Sequence, residues 1–389
     1  MKQIIPIVFV FTVILGALNA QDQEVDFYTL QFDSQGTIQG KLGVLQNAIA
    51  DGDAAPEFFG HALDVLLREH PTIRGAAEIK AADDMALILA ARLGEAQYTD
   101  GGPNLWRVVE TFTNPLVRAE ALSSLGKVQA ADYIPQVVQL LSDINIEPGE
   151  DPLVREQVAY GAIGALEEYK DSSGYLPVFF VTTGWYSDRL KSRAKEALPK
   201  IMDNPTEPLI SVIRSSSYNF AVKYTALQTL EAADITTQQK SQGAVASLAE
   251  AWRSNTNTVS QRSILTSTRK LSLGMIRRYG TEDTNVYPLL ERCYREASDE
   301  EEQIAAVAAL SALATDDSVR RLSSFLYDMN TRLARGTLTR EDERLVRVII
   351  PALGNTGRPL ARNALRSVLQ ADWTGAVQRL AQDALKKIQ

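Results

Sequence analysis

The chain has 389 residues, with 40 Lys and Arg against 48 Asp and Glu, a net charge of −8. One cysteine, Cys293, excludes an intrachain disulfide, two histidines are too few for a histidine-based metal cluster, and the acidic balance argues against a nucleic-acid partner. The length suits two or three ordinary domains or one long repetitive one.

The first twenty residues place Lys2 before an apolar run from Ile4 to Leu18, with Asn19-Ala20 preceding acidic QDQEVD. This order predicts a signal peptide over 1–20, cleaved after Ala20. The run is short for a membrane span, which needs about 20 residues. An uncleaved anchor is the alternative; with cleavage, no span remains. No Asn-x-Ser/Thr acceptor with a permitted middle residue follows, which favours a bacterial periplasm over a glycosylating secretory pathway, with secretion the alternative.

Residues 21–69 read as an N-terminal arm and helical cap. QEVDFYTLQFDSQGTIQG is polar with aromatic punctuation and suits an extended arm or a capping strand. KLGVLQNAIADGD and APEFFGHALDVLLREH then form two helices, the second starting near Asp53 or Ala54. A solenoid end needs such a cap to cover apolar surface its missing neighbour leaves bare.

From residue 70 to 389 one phrase recurs: a branched apolar residue, a small residue four further on, and an apolar or small residue eight further on. Ile73, Ala77 and Ala81 fit it, as do Val117, Ala121 and Leu125; Val154, Val158 and Ala162; Leu190, Ala194 and Leu198; and Val222, Ala226 and Leu230. Ala305, Ala309 and Leu313 follow, then Leu345, Ile349 and Leu353, then Val377, Ala381 and Leu385. Starts at 117, 154, 190 and 222 lie 37, 36 and 32 residues apart, the range of stacked helical pairs. The spacing lines one helix face, and small residues there let a neighbouring helix approach. Arg74, Arg118, Arg155, Lys191 and Lys223 each follow the first apolar residue and are expected to point away from the stripe. Asn114-Pro115 and Asp151-Pro152 supply N-caps followed by Pro at the first helical position. Gly126 and Gly354 are expected to end helices in left-handed geometry. A polar turn and a second apolar helix follow several of these helices, so the unit is helix, turn, helix, turn.

NPLVRAEALSSLG, DPLVREQVAYGAI and RLVRVIIPALGNTGRPLARNALRSVL resemble HEAT repeats, in particular the short bacterial, phycobilisome lyase-like type. The resemblance covers roughly residues 70–389 and weakens most from Asn257 to Glu296. It implies an all-α, right-handed α-solenoid of stacked antiparallel helix pairs, HEAT/armadillo-like. It also implies two function classes: a scaffold holding a protein partner on its curved helical surface, or a lyase-type enzyme or chaperone. Some HEAT enzymes hold iron through His-Glu pairs, which this sequence lacks.

Catalytic and cofactor sites find no support, and no cofactor is expected. His61 and His70 lie nine residues apart and do not share a helical face as an i, i+4 pair does. Cys293 falls among apolar helix positions and reads as a buried thiol. No nucleophile elbow or phosphate-binding loop occurs. Asp299 to Glu302 and Asp316-Asp317 stand at predicted helix starts and read as solvated caps favoured by the helix dipole.

Two candidate contact regions remain. Trp106, Trp185 and Tyr186 sit at turns and suit either partner contact or cover of the inter-repeat core. The C-terminal stretch 318–389 holds 13 Lys and Arg against 6 Asp and Glu, whereas 21–317 holds 26 against 42. Its cations are mostly arginine, with Arg320, Arg321, Arg344, Arg347, Arg358, Arg362 and Arg366 the candidate binding residues, because a planar guanidinium grips carboxylate and phosphate with two donors. The expected function is an exported non-enzymatic scaffold with a protein partner. The alternative ligand is an anionic envelope component, and the acidic half of a second copy of this chain carries suitable charge.

Overall fold

A computed structural model describes residues 27–52, 54–256, 258–297 and 299–388. The expected signal peptide, its cleavage site and the start of the arm lie outside the described residues. All regular structure among the described residues is helical, so the all-α expectation holds, and the helices pack in consecutive pairs. No helix among the described residues is long and apolar enough to cross a membrane.

The chain divides into two compact units, Met1–Met202 and Asp203–Gln389. The first contains α1 (27–33), α2 (Ile38–Asp51), α3 (Pro56–Glu69), α4 (Ala76–Glu95), α5 (Gly102–Thr111), α6 (Pro115–Lys127), α7 (Ile134–Ile146), α8 (Pro152–Tyr169), α9 (Tyr175–Thr183) and α10 (Asp188–Ile201). The second contains α11 (Thr206–Arg214), α12 (Phe220–Ala232), α13 (Thr237–Arg253), α14 (Val259–Tyr279), α15 (Val286–Glu296), α16 (Glu300–Leu313), α17 (Asp316–Ala334), α18 (Arg340–Asn355), α19 (Arg362–Gln370) and α20 (Gly375–Lys386). Within each unit, every odd helix from α3 onward packs on the even helix that follows, and even helices stack on even ones. The recurrent phrase is the even helix, and its buried stripe is where the even layer meets itself.

Val117, Ala121 and Leu125 are buried, as are Leu190, Ala194 and Leu198, and Leu345, Ile349 and Leu353. Each fully buried leucine or valine contributes about 1.5–3 kcal/mol. Asn114 accepts from the Leu116 N–H at 3.0 Å and Asp151 from the Val154 N–H at 3.2 Å, with Pro first in each helix. The capping expectation therefore holds at both.

Several expectations require correction. Residues 27–33 form a helix rather than a strand, because Tyr28 and Phe32, four apart, bury together against Phe58 at ring distances of 6.1 and 5.8 Å. The N-cap of α3 is Ala55, next to Pro56. Ile73 lies outside any helix and Ala77 is exposed; Gly75, at φ +89°, turns the chain just before α4, so of the expected stripe only Ala81 is buried, and α4 continues it with Ala82, Ala86 and Ala90. In α16 the expected Ala309 is buried, but Ala305 and Leu313 are only half-buried, and the buried face runs instead through Glu302, Ala306 and Leu310 beside it.

Gly126 and Gly354 do not end their helices. Both lie inside them, and the left-handed residues are Gln129 and Gly357. Their value is closeness. A Cβ on Gly126 would lie 2.7 Å from Ala165 Cα, and one on Gly354 2.8 Å from Ala384 Cα.

The recurring basic residue also differs from expectation. Lys223 is buried and donates to Glu250 at 2.7 Å. Arg118 donates through Nε to the Val109 carbonyl at 2.9 Å, and Arg155 through Nη2 to the Asp143 carbonyl at 3.3 Å. These carbonyls sit in the last turns of α5 and α7, where no intrahelical donor reaches them. Gln303 does the same for Tyr294 at the end of α15, at 2.9 Å.

Candidate partner-binding groove

Every even helix of the second unit turns one face away from its odd partner, and between α14, α16 and α18 those faces enclose an open groove of about 560 Å³. Small residues create it: Ala308, Ser311 and Ala312 on α16 oppose Val348, Pro351 and Ala352 on α18. Pro351 lacks an N–H, so the Arg347 carbonyl one turn earlier receives no i to i+4 bond. Ser311 Oγ closes the far side by donating to the Ala352 carbonyl at 2.9 Å.

Arg277, in the last turn of α14, and Arg347, on α18, line this groove. Both are exposed, and neither makes a hydrogen bond or ion pair among the described residues. Their neighbours differ: Arg278 pairs with Glu231 at 3.1 Å and Arg344 with Glu300 at 3.1 Å. Two free guanidiniums beside a lining of alanine, valine and proline suit a carboxylate-bearing segment with small or aliphatic side chains.

The arginine-rich sequence does not form one surface. Arg320 and Arg321 lie on α17, and Arg362 and Arg366 on α19, all in the odd layer. Arg320 pairs with Asp317 at 3.0 Å, while Arg321 pairs with Glu291 and lies over the Tyr287 ring. Arg358 precedes α19 and donates to the Ala314 carbonyl at 2.7 Å, capping α16. Arg362 reaches the Ile388 carbonyl at 3.4 Å, and Arg366 is exposed. Of the candidate arginines, the groove takes Arg347 and adds Arg277, which lies outside the basic stretch. A sequence signal existed: 277 and 347 are seventy residues apart, two repeat lengths, with Ala312 midway.

The aromatic candidates belong mainly to packing. Tyr186 is 3% exposed and donates to Asn145 Oδ1 at 2.8 Å, so burial withdraws it from a contact surface. Trp185 stacks on it at 4.1 Å and donates to the Ile144 carbonyl at 3.2 Å, covering the end of α7. Trp106 stacks on Tyr133, donates to Glu110 at 2.9 Å and remains half-buried at the edge of a recess with Phe112 and Leu140.

No group of three or more His, Cys, Asp or Glu among the described residues is arranged to hold a metal ion. His61 contacts Asp33 at 2.9 Å and His70 lies against Phe112. Cys293 is buried, and burial pushes its thiol up to about 12, although the Trp252 N–H points at Sγ from 3.1 Å. The folded protein is therefore expected to resist thiol alkylation at pH 8, with one equivalent reacting only after denaturation; rapid labelling of the native chain would contradict this placement.

The cap expectation fails at Glu302. This residue is fully buried, and Arg269 holds it through Nε at 2.5 Å and Nη2 at 3.0 Å. The Arg269 guanidinium also lies 4.4 Å from the Trp252 ring centre, and the Arg292 guanidinium lies 4.5 Å from it. Asp299 does cap α16, accepting from the Glu301 N–H at 2.8 Å.

No family model matches the sequence, and no curated protein matches it. Among solved structures, human deoxyhypusine hydroxylase in complex with glycerol aligns over 87% of this chain and 98% of its own, at 15% identity and a TM-score of 0.27. An engineered protein aligns over 94% and 98%, at 15% identity and a TM-score of 0.31. These likenesses concern the helical-repeat fold alone.

Proposed function

We propose that the chain is an exported, non-enzymatic HEAT-like scaffold that holds an acidic segment of a protein partner in the groove between α14, α16 and α18. The observation that carries this reading is the unpaired state of Arg277 and Arg347, on an apolar groove in a unit whose other cations are largely paired. Unpaired arginines beside apolar surface act as anchors for carboxylates and lose little to internal competition. Export is supported by the order of charge, apolar run and small residue in residues 1–20.

A synthetic peptide of alternating glutamate and alanine is a suitable probe, with binding read by calorimetry. The full chain is expected to bind it, more weakly as salt rises. Arg277→Glu with Arg347→Glu is expected to weaken binding about tenfold or more. Arg320→Glu with Arg366→Glu, on the other layer, is expected to change it little. Equal losses in both variants would reduce the groove to general basic attraction, and no binding by the wild type would remove the reading.

A further inference from the structure

The first unit offers a segment with the chemistry this groove lacks. Residues 146–153, IEPGEDPL, join α7 to α8, and every one of them is exposed. Ile146 and Leu153 are 78% and 74% exposed, among the barest large apolar side chains of the protein. Between them stand Glu147, Glu150 and Asp151. Asp151 caps α8, whereas Glu147 and Glu150 make no hydrogen bond or ion pair among the described residues. Two prolines and Gly149, at φ +66°, shape the loop, and helices hold both its ends. A segment shaped before binding loses less conformational freedom when it docks.

Resting on the reading of the groove as a site for acidic segments, we infer that its occupant is the 146–153 loop of a second copy of this chain. Charge complementarity selects this partner. The first unit carries 16 Lys and Arg against 27 Asp and Glu, and the second 24 against 21, so one is −11 and the other +3. The two free carboxylates of the loop answer the two free guanidiniums of the groove. Ile146 and Leu153 supply aliphatic surface for Ala308, Ala312, Val348 and Pro351. Donor and acceptor surfaces differ, so each copy presents one of each and the contact is heterologous. Association then closes as a ring of two or more copies or extends as a chain.

Sedimentation velocity of the full chain, from micromolar to near-millimolar concentration, tests this. The expected result is reversible growth with concentration, reduced by salt. Glu147→Lys with Glu150→Lys is expected to weaken association about tenfold or more, as is Arg277→Glu with Arg347→Glu. Mixing these two double variants is expected to restore it, because each reversed loop then meets a reversed groove. All four positions are exposed, and an unchanged helical circular dichroism spectrum checks folding. A wild type that stays monomeric yet binds the glutamate-alanine peptide overturns self-docking and leaves the groove reading standing. A wild type that does neither overturns both. Growth that survives both double variants, or a mixture that fails to associate, also overturns self-docking.

Discussion

Replacing Glu302 with alanine is expected to lower unfolding stability by about 3–5 kcal/mol, because it leaves the Arg269 guanidinium charged and buried without its partner. Glu302 is fully buried and the Arg269 side chain only 11% exposed, so water cannot take over the lost bonds. Attraction between the two charges is offset by the cost of desolvating them, which separates two substitutions that otherwise look alike. Arg269→Met with Glu302→Leu removes both charges while keeping similar volume, and is expected to recover most of the loss. Urea unfolding followed by tryptophan fluorescence reads both, since Trp252 lies against Arg269. A loss below about 1 kcal/mol in Glu302→Ala would place the pair in the class of screened surface bridges.

Gly161→Ala is the second large effect. A Cβ there would lie 2.6 Å from Ala119 Cα and closer still to its carbonyl oxygen, and backbone cannot swing aside as a side chain can. Alanine favours a helix over glycine by about 1 kcal/mol, but overpacking of this kind costs about 1–3 kcal/mol and is expected to win at a backbone contact. Gly164, one turn along the same helix, supplies the contrast. Its nearest neighbour would be Ser123 Oγ at 3.6 Å, an ordinary contact, so Gly164→Ala is expected to stabilise by up to about 1 kcal/mol. Opposite signs for the two substitutions in thermal or urea unfolding check the argument. Matching signs would mean that α6 and α8 adjust their separation easily.

The paired helices were legible because the stripe uses residues whose burial has one meaning. Val117, Ala121 and Leu125 have no reason to recur at that spacing except to face another helix. Caps were legible for the same reason, since Asn114-Pro115 and Asp151-Pro152 are local signals answered by local bonds. Long-range chemistry was harder to read. In α14 the buried stripe is Thr268, Ser272 and Ile276, and in α16 it begins with Glu302, so polar residues stand where the phrase expects apolar ones. Thr268 turns its hydroxyl back to the Ile264 carbonyl of its own helix at 2.8 Å, but Glu302 finds Arg269 one repeat away, and no periodicity within a helix announces that partner. Gly126 shows the same limit. A glycine near a helix end suggests a stop, and only the approach of Ala165 shows that it is a spacer.

The groove was half legible. Composition drew attention to the arginines after residue 318, but composition has no direction, and the fold divides them between two layers. Whether an arginine is free depends on its neighbours: Glu300 occupies Arg344 and Glu291 occupies Arg321, while nothing described answers Arg347. Arg277 was missed because it sits in the least regular repeat.

The donors that reach back nine or twelve residues, from Arg118 to Val109, from Gln303 to Tyr294 and from Arg155 to Asp143, bear on how the chain yields to force. Each bond ties the start of one helix to the end of the one before it. Pulling on one end of a unit must therefore tear out a helix and its neighbour's last turn together. Force-extension traces should show steps of a helix pair, about 32 to 37 residues of released chain, rather than single helices peeling away. Arg118→Met would loosen one such latch and split its step in two.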